Sequence, residues 1–278
     1  MRFNRLKNRL RRARNGTASG GLLRFAAACC LAGIVLSSGR PLRAQSEPGL
    51  LSAKAVLDRY VGATGENALL RHKSMTVHGR YQEPSNNLDV ETVLYTKDGT
   101  KLLLKATLPG GKEYATGYDG KTAWTVGGDG KVDLPAGDEI KSVARDADMY
   151  YHLHVLKYFK SMEVADVQEF DGRPCYHLKG VNNWGKLNEQ FYDKENGLLL
   201  GYKFDTAWRG GKGAASETFE DYRDFGGVKM AAKTTSRDGD SVSMSLITAV
   251  TYDDVQDEVF ALPEAVKAKM REKKSTGK

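Results

Sequence analysis

The chain has 278 residues, and 42 Lys and Arg against 35 Asp and Glu give it a net charge of +7. Such a balance points first to nucleic acid or an anionic membrane as partner, yet ten of the basic residues and no acidic one fall within residues 1–44. Removing those ten leaves 32 basic residues against 35 acidic ones, which excludes a basic binding surface on the remainder as the source of the charge.

Residues 1–44 have the three parts of a secretory leader: a basic stretch to Arg24, an apolar run from Phe25 to Leu36, and a small-residue exit at Ala44. The apolar run is about 12 residues, shorter than the roughly 20 needed to cross a bilayer. Cleavage after Ala44 is expected, with the mature chain beginning at Gln45. Cys29 sits at the front of the apolar run, where a lipoprotein cysteine would follow it. Arg11-Arg12 leaves the choice between Sec and Tat export open. With Cys29 and Cys30 gone, Cys175 alone remains, so no intramolecular disulfide is possible in the mature chain, and Cys175 reads as a small hydrophobe in a strand.

The remainder, about 234 residues, is expected to form one mainly β domain over 45–263 followed by a basic tail over 264–278. It opens with a helix over Leu50–Val61, with Leu50, Leu51, Ala53, Val56, Leu57 and Tyr60 at helical spacing and Gly62 and Gly65 to end it. A short helix over 67–70 follows. The period then becomes two. Met75, Val77, Gly79 and Tyr81 alternate with Thr76, His78 and Arg80, and Leu88, Val90, Thr92 and Leu94 alternate with Asp89, Glu91 and Val93.

Further strands are predicted over about 101–108, 113–118, 122–126, 162–169, 174–181, 187–193, 198–206, 215–223, 228–236 and 241–252. Asp-Gly at 98–99, 119–120, 171–172 and 238–239 supplies the positive φ angles of tight hairpins. The outcome is a curled antiparallel sheet that needs something to fill its concave side. The segment Pro135–Tyr158, with Ile140, Val143, Ala144, Ala147 and Tyr151 at helical spacing, is the expected filler together with the first helix.

No phosphate-binding glycine loop, nucleophile elbow or paired-cysteine metal motif is present. His152 and His154 would share a side and bind a metal with Asp146 or Asp148 only if extended, and a helix separates them, so no catalytic residue, metal or cofactor is assigned. His72, His78 and His177 read as ordinary surface or satisfied histidines. The acids Glu217, Glu220, Asp221 and Asp224 read as an exposed strand edge. What stands out is apolar bulk on strands. Runs such as Leu102-Leu103-Leu104 and Leu198-Leu199-Leu200 want shelter on both faces. With Tyr118, Trp124, Phe191, Phe204, Trp208 and Phe219 they suggest a cavity for an elongated apolar guest. The residues expected to line it are Leu94, Leu102, Leu104, Tyr118, Trp124, Phe191, Leu200, Phe204, Phe219, Met230 and Met244.

Four segments resemble the LolA/LolB-like outer-membrane lipoprotein-sorting family. They are Gly117-Tyr118-Asp119-Gly120-Lys121-Thr122-Ala123-Trp124, the hairpin Tyr192-Asp193-Lys194-Glu195-Asn196-Gly197-Leu198-Leu199-Leu200, the pair around Tyr222 and Gly226-Gly227-Val228, and the close Phe260-Ala261-Leu262-Pro263. Ala231 stands where the family usually has proline. The resemblance spans about residues 50–263. It implies a half-open β-barrel of about eleven strands plugged by helices, with a cavity for lipid or lipoprotein acyl chains. It also implies a periplasmic, possible outer-membrane-associated, monomeric carrier or sensor that is not an enzyme and meets an envelope transporter or receptor. By position, Arg80 would be the arginine that latches the helical lid.

Overall fold

The computed structural model describes residues 50–205 and 213–276, with side chains to Ser275. The leader read over 1–44 and Trp208 lie outside the described residues. The first helix, α1, is Ala53–Thr64. The Ser52 side chain accepts a hydrogen bond from Ala55 N at 3.2 Å and sets its start, so Leu50 and Leu51 precede the helix. Gly65 ends it at φ 85° and leads into the single turn α2, Glu66–Leu69. A side chain at Gly65 would run into the Gly227 carbonyl.

The strands are β1 (Ser74–Glu83), β2 (Leu88–Lys97), β3 (Lys101–Leu108), β4 (Lys112–Tyr118), β5 (Ala123–Val126) and β6 (Val132–Asp133), then β7 (Phe159–Phe170), β8 (Arg173–Asn182), β9 (Leu187–Asp193), β10 (Leu199–Asp205), β11 (Ala214–Phe225), β12 (Val228–Asp238) and β13 (Ser241–Tyr252). They form one curled antiparallel sheet of 13 strands in the order β6-β5-β4-β3-β2-β1-β13-β12-β11-β10-β9-β8-β7. The resemblance implies about eleven strands and the sheet has 13, of which β6 is only two residues long, too short to show a period. Hairpin chemistry is as expected: Asp171 and Gly172 take φ of 51° and 73° between the paired residues Phe170 and Arg173.

The strand order explains the filler. Leaving β1, the chain builds outward to the β6 edge, then restarts at the β7 edge and builds back to β13 beside β1. The segment between β6 and β7 must therefore travel from one free edge to the other. It begins as α3, Asp138–Ala147, and continues as 3-10 turns at Tyr151–Leu153 and Val155–Tyr158. The single helix expected over 135–158 breaks at Asp148. That carboxylate accepts from Tyr150 N at 3.0 Å and Tyr158 Oη at 2.5 Å and meets His154 Nε2 at 2.6 Å, local bonds that compete with helix continuation.

This plug joins two apolar clusters on one face of the sheet. Ala147 and Met149 pack with Met75, Val77, Leu94, Leu102, Leu104 and Tyr114, while Val155 packs with Val56, Leu57, Tyr192, Leu199, Tyr202 and Phe219. Because side chains alternate across a strand, the other face receives the odd members of the same runs. Leu103 and Trp124 pack there with Val255, Phe260 and Val266, the last from helix α4, Glu264–Thr276. Cys175, Phe191 and Leu200 form a further cluster with Phe170.

Candidate functional site

The described residues enclose a cavity of about 120 Å³ between the sheet and the plug. Its floor is mainly apolar, with Met75 of β1, Leu199 and Tyr202 of β10, Phe219 and Tyr222 of β11, Val228, Met230 and Ala231 of β12, and Ile247 of β13, but Lys229 and Thr234 of β12 and Ser245 of β13 also line it. Helices α1 and α2 add Tyr60, Thr64 and Leu69. The roof comes from the plug, which contributes Arg145, Asp146, Asp148, Met149, Tyr151 and His152.

The geometry is set by a few contacts. Phe219 stands edge-on to Tyr202 with ring centroids 5.1 Å apart. Tyr222 Oη donates to the Leu199 carbonyl at 2.7 Å, and burial raises its hydroxyl well above the usual tyrosine range. The plug is tied to the sheet side by Tyr150 Oη, which donates to the His72 carbonyl at 2.6 Å. Its Asp148 hub keeps it folded, and burial, with that carboxylate second, raises the Tyr158 hydroxyl. In the roof, Arg145 binds Asp146 Oδ1 through Nε at 3.0 Å and Nη2 at 2.7 Å, each side chain only 12% exposed. His152 lies edge-on to Tyr60 at 6.0 Å, and its Nε2 has no hydrogen-bond partner among the described residues. Burial holds its imidazole down at about 4.

Of the side chains expected to line a cavity, Phe219 and Met230 do so. Leu94, Leu102 and Leu104 share the concave face, but Tyr114, Ala147 and Met149 cover them in the first cluster, with Tyr118 at its margin. Phe204 is half-buried at the margin of the second cluster. Trp124, Phe191 and Leu200 do not line the cavity, because strand parity puts them on the opposite face. Trp124 lies over Gly117, where a Cβ would come within 2.5 Å of the indole, and Phe191 is stacked between Phe170 at 4.3 Å and His177 at 4.8 Å. Met244 is half-buried and alternates with the inward Ser243 and Ser245, so it too points away. Arg80 is no latch in this arrangement: it pairs with Asp89 on the neighbouring strand at 2.9 Å and is 42% exposed.

One further reading changes. Strand β11 is flanked by β10 and β12, so its acids are not at an edge. Glu217 is 1% exposed and accepts from Ser236 Oγ at 3.4 Å, while Glu220 pairs with Lys233 at 3.1 Å. His177 is a satisfied histidine, one of the two forms expected for it. It is 2% exposed, with Glu189 2.7 Å from Nε2 and Asp166 3.1 Å from Nδ1. His152 and His154 diverge, one toward Tyr60 and the other toward Asp148, and no three potential metal ligands are grouped among the described residues. Sequence reasoning missed Tyr60, Leu69, Met75, Leu199, Tyr202 and Ile247 as lining. For Met75, Leu199, Tyr202 and Ile247, parity with Phe219 and Met230 across the ladder was the usable signal, whereas Tyr60 and Leu69 come from helices α1 and α2.

No protein-family model matches the chain, and no curated protein matches its sequence. Solved structures match the fold. A DUF1329 family protein from Desulfovibrio piger is 15% identical at a TM-score of 0.54, covering 75% of this chain and 96% of that one. A LolA superfamily protein from Nitrosomonas europaea is 12% identical at 0.54, covering 77% and 99%. A candidate outer membrane lipoprotein-sorting domain from Vibrio parahaemolyticus is 11% identical at 0.50, covering 73% and 97%. The chain has the LolA-like fold: a curled, unclosed antiparallel sheet with a few helices.

Proposed function

We propose that this is an exported, non-enzymatic binding protein of the bacterial envelope that seats one acyl chain of a lipid or lipoprotein beneath its plug. The cavity carries the reading, since it lies where the chain's own plug faces inward apolar side chains of β1 and β10–β13. The leader over 1–44 and the shared fold support an envelope setting.

Size sharpens the proposal. Pockets for drug-sized ligands run to about 300–1,000 Å³, so a volume near 120 Å³ is closer to a site that takes one benzene-sized group. Four to six carbons would fit, contributing roughly 3–5 kcal/mol at about 0.8 kcal/mol per methylene. Such a seat alone gives dissociation constants of about 0.2–6 mM. A longer chain, or more than one, requires the plug to move outward, and the Tyr150 link to the His72 carbonyl is what that motion would break.

The packing also supports a second reading, an envelope interaction or sensor module whose interior is filled by its own residues. Tyr81 and Tyr114, both at most 1% exposed, already occupy much of the concave face. Mass spectrometry of organic extracts from the purified mature protein separates the two. A bound long-chain lipid at near one per chain is expected for the carrier. A clean extract, together with no heat on titrating a single-chain lipid, would overturn it.

A further inference from the structure

The balance of 32 basic against 35 acidic residues after the leader hides an asymmetry. Residues 264–278 hold six basic residues and two acidic ones, which leaves 26 against 33 in residues 45–263, a net of −7 beside +4. Most of the basic stretch is no loose tail: helix α4, Glu264–Thr276, carries Lys267, Lys269, Arg271, Lys273 and Lys274, all exposed. Buried Val266, with Met270, anchors it against Leu103 and Trp124 on the face of the sheet opposite the plug. Lys267, Arg271 and Lys274 recur at steps of four and three residues and so run along one side of the helix. Glu264 pairs with Lys267 at 2.7 Å and Glu272 with Lys269 at 3.1 Å, exposed pairs internal to the helix that leave it at +3. Like charges four residues apart, Lys267 with Arg271 and Lys269 with Lys273, work against the helix. The macrodipole accounts for Lys273 and Lys274 in the last turn, but not for Lys267 and Lys269 further back.

We infer that α4 docks this protein on an anionic phospholipid surface, an inference that rests on the envelope setting and not on the acyl-chain cavity. Charge complementarity carries it. The helix turns its apolar residues into the body, so its outer side offers charge and, among the described residues, no exposed large apolar anchor. Stable protein interfaces have an apolar core, whereas a lipid headgroup surface asks only for positive charge close to it. The acidic remainder repels the same surface and so confines contact to the helix. Screening over roughly 8–10 Å near physiological salt lets this local charge prevail over the total. With nothing inserted, the contact is reversible and sensitive to salt.

The test sediments the mature protein with vesicles of phosphatidylcholine alone, or of phosphatidylcholine with a quarter of phosphatidylglycerol, at roughly 50 and 500 mM salt. Binding is expected to the mixed vesicles at low salt, and at least about tenfold less at high salt or on phosphatidylcholine alone. Each basic residue near an anionic surface is worth about fivefold, so Arg271→Gln, Lys273→Gln and Lys274→Gln together should weaken binding at least about tenfold. These exposed positions lie beyond the buried Val266, and glutamine is a good helix former, so Tm should stay within about 2 °C. A control, Lys160→Gln with Lys179→Gln and Lys194→Gln, removes the same charge from exposed sites on β7, on β8 and just after β9. It should change binding by less than about threefold. Three results overturn the inference: no binding to the mixed vesicles, parent binding that salt does not weaken, or equal affinity in the two triple variants. Each leaves the acyl-chain reading standing, since none of the substituted residues lines the cavity.

Discussion

Phe219→Ala tests whether the cavity floor is a packed wall or a slack surface. The ring is 7% exposed, sits on β11 between two paired strands, and leans edge-on against Tyr202 at 5.1 Å. Truncating a buried phenylalanine costs about 3–5 kcal/mol, through lost transfer energy and the void left behind. One side of this ring already faces a cavity, so it has fewer contacts to lose and the low end, about 3 kcal/mol, applies. For a domain of this size each kcal/mol moves Tm by about 2–4 °C, so a fall of roughly 6–12 °C is expected by scanning calorimetry. The enlarged cavity should then take a bulkier guest. At a hundredfold excess over its dissociation constant, a ligand returns about 2.7 kcal/mol, so a saturating single-chain lipid should recover most of the lost Tm. A fall under about 2 °C would refute the packing argument, and an expected fall that no apolar ligand reverses would refute the link from that wall to binding.

Trp124→Ala removes a side chain that the sequence suggests for the cavity but that packs under α4 on the other face; about 3 kcal/mol of stability should be lost, with lipid affinity unchanged within about twofold by calorimetry. Tyr150→Phe deletes the plug's bond to the His72 carbonyl; hydrogen exchange over 138–158 should accelerate by about three- to tenfold, the worth of one hydrogen bond, and unchanged rates would show that the link does not hold the plug. His152 is lowered in the fold from its ordinary 6.5 to about 4, so the unfolded chain takes up its proton first as pH falls. Its contribution is present in full above about 6.5 and is lost between there and about 4, at most about 3 kcal/mol. His152→Gln should therefore flatten the urea-unfolding stability across that window relative to the parent. Burial raises the Cys175 thiol to about 11, so alkylation at pH 8 should be slow in the folded chain and become rapid only in denaturant.

The strands were legible because alternation and Asp-Gly turns act locally: β3, β9 and β13 fall where their patterns place them. Which face is concave was not. Both faces of this sheet are covered, one by the plug and the other by α4 and the Phe170–Phe191–His177 stack, so Trp124 and Phe191 are as large and apolar as Phe219. Size therefore could not distinguish inside from outside, and only cross-strand register does. The plug's helical start was readable from Ile140, Val143 and Ala147. Its break at Asp148 was not, since it depends on hydroxyl and imidazole partners, Tyr158 and His154, one to three turns ahead. Glu217 shows the same limit, because an acid on a strand reads as exposed until the strands on either side of it are known.

The central claim is that an acyl chain enters under the plug and rests on the β10–β13 floor. Nuclear magnetic resonance with a stearic acid methyl ester carrying a nitroxide near its tail end tests it directly. The methyl signals of Leu199, Met230 and Ile247 should broaden, while those of Leu103 and Val266 on the opposite face stay sharp. Broadening confined to that opposite face, or none at a saturating probe concentration, would contradict the account.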